Sequence, residues 1–423
     1  MLHKKTIHLN KTTLICLLLY VIVIVSCRGY RFYLPQQYQY IHMHIFGFFS
    51  VVSLIYFFIL FKRIKKVDNY INKYMIILAG GFVIPQFLYT HSRYNQSLSD
   101  FYSAAQHYFF LIWIIPLFYL LLNSNSEKVL DTIANITVIG YISLIINAFM
   151  NNHFGFMLLK ISGDALAQKN GYIRIVDCAV FTPLVIAYLF SNSVVHNRKL
   201  DFFKMCIVLL GQIYVEKTRM GTIALLFMLI AMLLFSKKNK FSKILTWIFL
   251  ILGGFFSIAG GMIDQILSKF SIQNNGNSTL YRLNEIQFYM SHFIENKLLG
   301  IGIISPEKIM NEYGIAYWQN HNYEDIGIIG FLGIAGIVGI IVIYIIPIIR
   351  MLFVLQSVKG KISSYSEYLM LIGMFCYIIF TSATYGVLSF TFIHPVIINN
   401  IYVSLSFLIY CMKHIYIQTM QYI

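Results

Sequence analysis

The chain carries about twelve runs of roughly 16 to 24 mostly apolar residues, each near the ~20 that take a helix across a bilayer. No other feature restricts the fold so strongly. In hydrocarbon every backbone polar group must be bonded internally, which a helix achieves within one segment. The runs lie approximately at 12–27, 41–61, 71–90, 101–122, 129–150, 173–191, 202–216, 219–236, 244–261, 326–349, 366–386 and 395–412. They predict an all-α polytopic membrane protein, a single integral membrane domain over 1–423. With 58% hydrophobic and 11% charged residues the composition excludes an ordinary soluble domain.

The formal net charge of +16 does not point to nucleic acid, because the basic residues cluster in short gaps between apolar runs, beside anionic lipid. Lys62, Arg63, Lys65 and Lys66, then Lys128, then Arg198 and Lys199, then Lys237 to Lys243, then Arg350 to Lys361 follow even-numbered runs. By the positive-inside rule these gaps and both termini face the cytoplasm. The basic start and first run read as a signal anchor, although Ile24-Val25-Ser26-Cys27 loosely matches a lipoprotein cleavage box. Cys16, Cys27, Cys178, Cys206, Cys376 and Cys411 have no paired spacing and indicate neither a zinc site nor a disulfide framework.

One long hydrophilic passage, 262–325, interrupts the apolar pattern and is assigned to the external side. After the turn-rich Gln273 to Asn277, Ser278 or Thr279 caps a predicted helix running to about Asn296. Leu283, Ile286, Met290 and Phe293 form one stripe of it; Arg282, Glu285, Tyr289 and His292 form the adjacent stripe, facing a cleft or the membrane surface. Leu299-Gly300-Ile301-Gly302 breaks this helix. Ser305-Pro306-Glu307 starts another, with a cap, a first-turn proline and an acid at the positive dipole end, and Gly314 is placed to end it. The passage closes on Trp318-Gln319-Asn320-His321-Asn322-Tyr323 before the next apolar run.

The external cations nearest run ends are Arg174, Arg219 and, within the passage, Arg282. Taken singly, Arg219 has an ordinary reading as a residue snorkelling to lipid phosphate, Arg282 as a solvated loop residue and His321 as an interfacial histidine. Together they offer guanidinium groups that grip phosphate oxygens and an imidazole able to accept a proton. The external side has no Asp-x-Asp pair for a divalent metal, and Gly300-x-Gly302 is too short for a phosphate cradle. No metal and no cofactor is expected.

Glu216-Lys217-Thr218-Arg219-Met220-Gly221 opening an apolar run, Tyr281-Arg282 leading to Asn296-Lys297-Leu298-Leu299-Gly300-Ile301-Gly302, and His321-Asn322-Tyr323 before Gly327-x-x-Gly330 together resemble the O-antigen polymerase and O-antigen ligase superfamily. Tyr172-Ile173-Arg174 resembles a further motif. The resemblance implies a metal-independent, C-type membrane glycosyltransferase of the bacterial inner membrane. Such an enzyme moves glycan from undecaprenyl diphosphate to an acceptor outside the cytoplasm. It implies that Arg219 and Arg282 bind the lipid diphosphate with help from Arg174, and that His321 activates the acceptor hydroxyl beside Asn322 and Tyr323. Glu324 and Asp325 crowd that histidine and depart from the pattern. The implied partners are lipid-linked oligosaccharide, membrane lipids and a chain-length regulator.

Within that superfamily the expectation is a polysaccharide repeat-unit polymerase, for O-antigen or capsule; the alternative is a ligase. Outside it the rival is a polysaccharide flippase or other transporter, for which ionisable residues within spans and helices broken at the bilayer centre are the expected marks.

Overall fold

The computed structural model describes residues 48, 50–59, 69–109, 112, 115, 126–158, 166–169, 172–175, 182–216, 219–236, 276–313, 326–358 and 365–384. These form helices α1 (Ser50–Ile59) and α2 (Tyr70–Tyr94), α3 (Leu98–Phe109) and α4 (Ser126–Phe154). A two-stranded ribbon of β1 (Leu166–Lys169) and β2 (Tyr172–Ile175) follows. Then come α5 (Thr182–Val195), α6 (Lys199–Gly211), α7 (Arg219–Phe235), α8 (Gly276–Glu295), α9 (Pro306–Tyr313), α10 (Gly327–Gln356) and α11 (Tyr365–Thr384). The described residues are thus mainly helical, as expected, with the ribbon as their strand pair. Among the described residues three helices, α2, α10 and the Glu127–Phe154 part of α4, are long and apolar enough to cross a membrane. The runs at 12–27, 244–261 and 395–412 lie outside the described residues.

The prolines mark where helices start and where they widen. Pro183 and Pro306 sit in the first turns of α5 and α9, where a missing N–H costs nothing. Pro85 and Pro347 lie inside long helices, and a π-helical turn stands just ahead of each, at Ala79–Val83 and Ile340–Ile345. A proline ring clashes with the carbonyl four residues earlier and donates no bond. Widening the preceding turn moves that carbonyl aside and lets the helix continue.

α5 is the centre of the main bundle. Its side chains from Thr182 to Val194 are all buried, which suits a helix apolar on every side, and α4, α6, α7 and α11 pack around it. Tyr141, fully buried on α4, is bonded through its hydroxyl to Thr182 Oγ1 at 2.7 Å and donates to Gln212 Oε1 at 3.2 Å. One polar side chain therefore joins α4, α5 and the turn after α6. Gly211 makes room for it, since a Cβ there would lie 2.1 Å from the Tyr141 ring.

At one end of this bundle Arg198 pairs with Glu127 and lies 3.9 Å from Asp131 and 4.0 Å from Asp201. Lys204 stands 3.8 Å from Asp201 and donates to Asn135 Oδ1 at 2.8 Å. Tyr188 donates to Asp131 at 2.7 Å. Arg350, on α10, lies over the Tyr70 ring at 4.9 Å.

The ribbon corrects the sixth predicted span. Residues 173–175, read as the start of a helix at 173–191, belong to β2, paired antiparallel with β1 in the register Lys169↔Tyr172 and Ala167↔Arg174; the helix begins only at Thr182. Tyr172-Ile173-Arg174-Ile175 alternates with period two, a strand pattern.

Candidate functional site

Arg219 is the first residue of α7, as the pattern predicts. β2, which carries Arg174, packs beside the turn Gln212–Glu216, which precedes Arg219 in the chain. Arg282 lies on α8, which packs on α10 instead. The side chains of Arg174, Arg219 and Arg282, and residues His321, Asn322, Tyr323, Glu324 and Asp325 entirely, are outside the described parts of the chain.

The predicted helix and break within the hydrophilic passage are both present, although α8 begins at Gly276, so that Ser278 and Thr279 lie inside it and do not cap it. α8 ends at Glu295, turns follow, and α9 starts at Pro306 with Glu307 in its first turn. The orientation of α8 reverses part of the expectation. Glu285 and Tyr289, from the polar stripe, are buried, whereas Leu283 of the apolar stripe is 55% exposed. The cause is the partner surface. Gly333 of α10 has no side chain, so the Tyr289 backbone and Cβ fit against it; a Cβ on Gly333 would lie 2.4 Å from that of Tyr289.

Residues 297–305 are inserted against α2 and α10. Gly336, inside α10, has φ 63° and ψ −167° and interrupts the helix. The backbone groups released there are taken up by the inserted segment: Ile301 N–H donates to Gly333 O at 2.8 Å, Gly302 N–H to Ile334 O at 2.9 Å, Ile337 N–H to Lys297 O at 2.9 Å and Val338 N–H to Leu298 O at 3.2 Å. Non-helical backbone within a span is tolerated when protein satisfies it. Gly300 and Gly302, with φ 64° and 98°, serve this close approach and no phosphate cradle.

Two glutamines complete the seam. Gln86, fully buried in α2, donates to Leu299 O at 3.1 Å and Ala335 O at 3.3 Å and accepts from Ile303 N–H at 3.2 Å. Gln96, also fully buried, donates to Ile303 O at 3.1 Å and accepts from Ser305 N–H at 3.0 Å. It sits in the turn between α2 and α3, where Ser97 and Asp100 cap each other's backbone N–H groups at 3.1 and 3.3 Å.

Above this seam, where α2, α8 and α9 end together, lies a group of residues that the motifs do not single out as a unit. Tyr94, Ile301 and Ile304 form its buried floor, with Phe288 and Tyr313 packed against them. The His292 ring stands edge-to-face with Phe288 at 4.5 Å and with Tyr313 at 5.3 Å. Its Nδ1 is 3.3 Å from Glu295 Oε2, and Arg93 Nη2 is 3.9 Å from the same oxygen. Arg93 also lies over the Tyr94 and Tyr89 rings at 5.4 and 5.8 Å. The available sequence signal is the spacing of Tyr89 with Arg93 and of His292 with Glu295, each pair sharing a helical face.

Among the described residues no group of three or more His, Cys, Asp or Glu side chains is placed to hold a metal ion. Three helices of membrane-crossing length and apolar composition among the described residues define the class as a helical membrane protein. No protein-family model matches the chain and no curated protein matches it, so the superfamily resemblance stands on the residues quoted for it.

Proposed function

We propose that the protein is a polysaccharide repeat-unit polymerase. In this reading about twelve spans cross the bacterial inner membrane, both termini are cytoplasmic and the 262–325 passage is external. The acceptor hydroxyl attacks the anomeric carbon of the donor glycan, the bond from that carbon to the diphosphate oxygen breaks, and undecaprenyl diphosphate departs. Arg219 and Arg282, assisted by Arg174, neutralise the charge that grows on the leaving group. His321 takes the hydroxyl proton, and Asn322 and Tyr323 help to seat the substrate. An unperturbed imidazole titrates near 6.5, suited to a base at neutral pH, and such a base contributes about 10²- to 10⁴-fold.

The observation that carries the reading is the anchoring of the hydrophilic passage: the helix bearing Arg282 docks on α10, and the segment after it is bonded into α2 and α10. A passage held this way supports positioned chemistry at a membrane face better than a loose connector does.

A transporter is the second reading, favoured by the break at Gly336 within α10, one of the marks of transporter helices. The bonds to 297–302 occupy the backbone groups that such a break would turn toward a substrate, which supports the enzyme instead. The lipid-linked glycan that accumulates on deletion of the gene separates the readings. Single repeats exposed at the outer face are expected; inward-facing repeats would establish the transporter, and finished but unattached polymer a ligase.

A further inference from the structure

We propose that the cluster at the joined ends of α2, α8 and α9 is a binding subsite for an uncharged sugar of the acceptor glycan. The proposal rests on the polymerase reading for the glycan's identity and on the cluster's own geometry for the site. Its rim is Arg93, with the side chain 38% exposed, and Glu295, 57% exposed, their nearest atoms 3.9 Å apart. A guanidinium beside a carboxylate offers donors and acceptors at the spacing of neighbouring sugar hydroxyls. Half-buried Tyr89, Phe288 and Tyr313 supply aromatic surface next to that rim, suited to the C–H face of a sugar ring.

Charge selects among ligands. The arginine and the glutamate cancel, so the rim has no excess positive charge to hold a diphosphate, whereas neutral hydroxyls are well served. Preorganisation supports the assignment as well. Arg93 is held by the Tyr89 hydroxyl and by two ring faces, and the floor beneath is fixed by the Tyr94 hydroxyl donating to Ile301 O at 3.0 Å. A polar group already held where it must act loses little freedom on binding. Arg282 and His292 are separated by roughly 15 Å along the axis of α8, so the cluster lies a short oligosaccharide's length from the backbone position of Arg282.

The test uses the full-length protein in nanodiscs, with single lipid-linked repeats as acceptor and the same repeat freed from lipid as a binding probe. Arg93→Ala and Glu295→Gln should raise the acceptor KM about tenfold while kcat and the donor KM stay within about twofold, the signature of lost ground-state contacts. Arg93→Lys should recover part of the loss, and Lys308→Ala, on α9, should match wild type. Binding of the freed repeat, read by saturation-transfer NMR, should weaken in the first two variants when their melting temperatures match wild type. An active wild type whose Arg93→Ala and Glu295→Gln variants keep the wild-type acceptor KM overturns the subsite and leaves the polymerase standing. A wild type that binds the freed repeat through Arg93 and Glu295 yet never polymerises retains the subsite and overturns the polymerase. No binding of the freed repeat by wild type overturns the subsite.

Discussion

Gly336 of α10 and Leu298 of the inserted segment meet backbone to backbone: a Cβ built on Gly336 would lie 2.2 Å from the Leu298 carbonyl oxygen. The break in α10 and the insertion of 297–302 are therefore one feature. Neither side can be withdrawn without leaving the other's N–H and C=O groups unbonded in an apolar setting.

Replacing Gly336 by alanine should thus be severe. Its φ of 63° and ψ of −167° lie in a region essentially restricted to glycine, and occupying it costs other residues roughly 1–3 kcal/mol, before the contact with Leu298 is counted. The expected result is a lower melting temperature and faster proteolysis between Lys297 and Ser305. Gly80→Ala, at a site where nothing lies within 4 Å of an added Cβ, is the control. Equal stability of the two variants would contradict the interlock.

Gln86→Leu tests the same seam from α2. It removes two donated bonds and one accepted bond in a fully buried place. Each orphaned group costs about 1–3 kcal/mol, so a loss on the order of 3 kcal/mol is expected. Gln86→Glu keeps the acceptor but loses the amide donors and should also destabilise. Amide exchange at Ile303, which donates to Gln86, should quicken in both variants; exchange unchanged from wild type would show that the segment is held by other contacts.

Local signals account for much of this architecture. The proline start of α9, the opening of α7 at Arg219, and the helix, break and helix of 276–313 are read from short-range chemistry. The ribbon has a signal too: the sequence between its strands is Asn170-Gly171, a strong hairpin pair, which competes with flanking residues apolar enough to read as a span. The inward face of α8 was not legible. Stripe reasoning assumes that the apolar side is the buried side, whereas Tyr289 is selected by the bare backbone at Gly333, which lies far along the chain. Gln86 and Gln96 resemble any other polar residues near a span until the carbonyls and N–H groups more than 200 positions away are brought to them.

Asp201 provides a prediction whose sign follows from its surroundings. Burial pushes its carboxyl above the ordinary value, while Lys204 and Arg198 hold the rise in check. A folded pKa above the unfolded one means that the folded state favours the proton. The stability linked to that proton is present below about pH 4, the unfolded value, and is lost as pH rises through the folded value. Asp201→Asn lacks this titration, so its melting temperature relative to wild type should rise between about pH 4 and pH 7. A relative fall over that interval would mean that the ion pairs with Arg198 and Lys204 outweigh burial.

The catalytic assignment yields separable outcomes for Arg219, Arg282 and His321. Arg219→Lys and Arg282→Lys keep a charge but remove the planar fork that can bridge two phosphate oxygens. Donor binding should weaken and turnover fall by about 10²-fold if the lost contact forms in the transition state. His321→Ala removes the proposed base and leaves the diphosphate contacts in place, so donor binding should remain near wild type while the rate drops by roughly 10²-fold or more. A residue that only snorkels to lipid phosphate, or only caps an interfacial turn, predicts normal polymer length in Arg219→Lys and His321→Ala at matched expression. The decisive measurement is the polymer ladder together with donor binding for each variant, because a structural defect lowers both whereas loss of the base lowers only the ladder. Wild-type ladders from His321→Ala would end its assignment as the base, and the base would then have to be sought among the other imidazoles, with His292 on α8 the first to test.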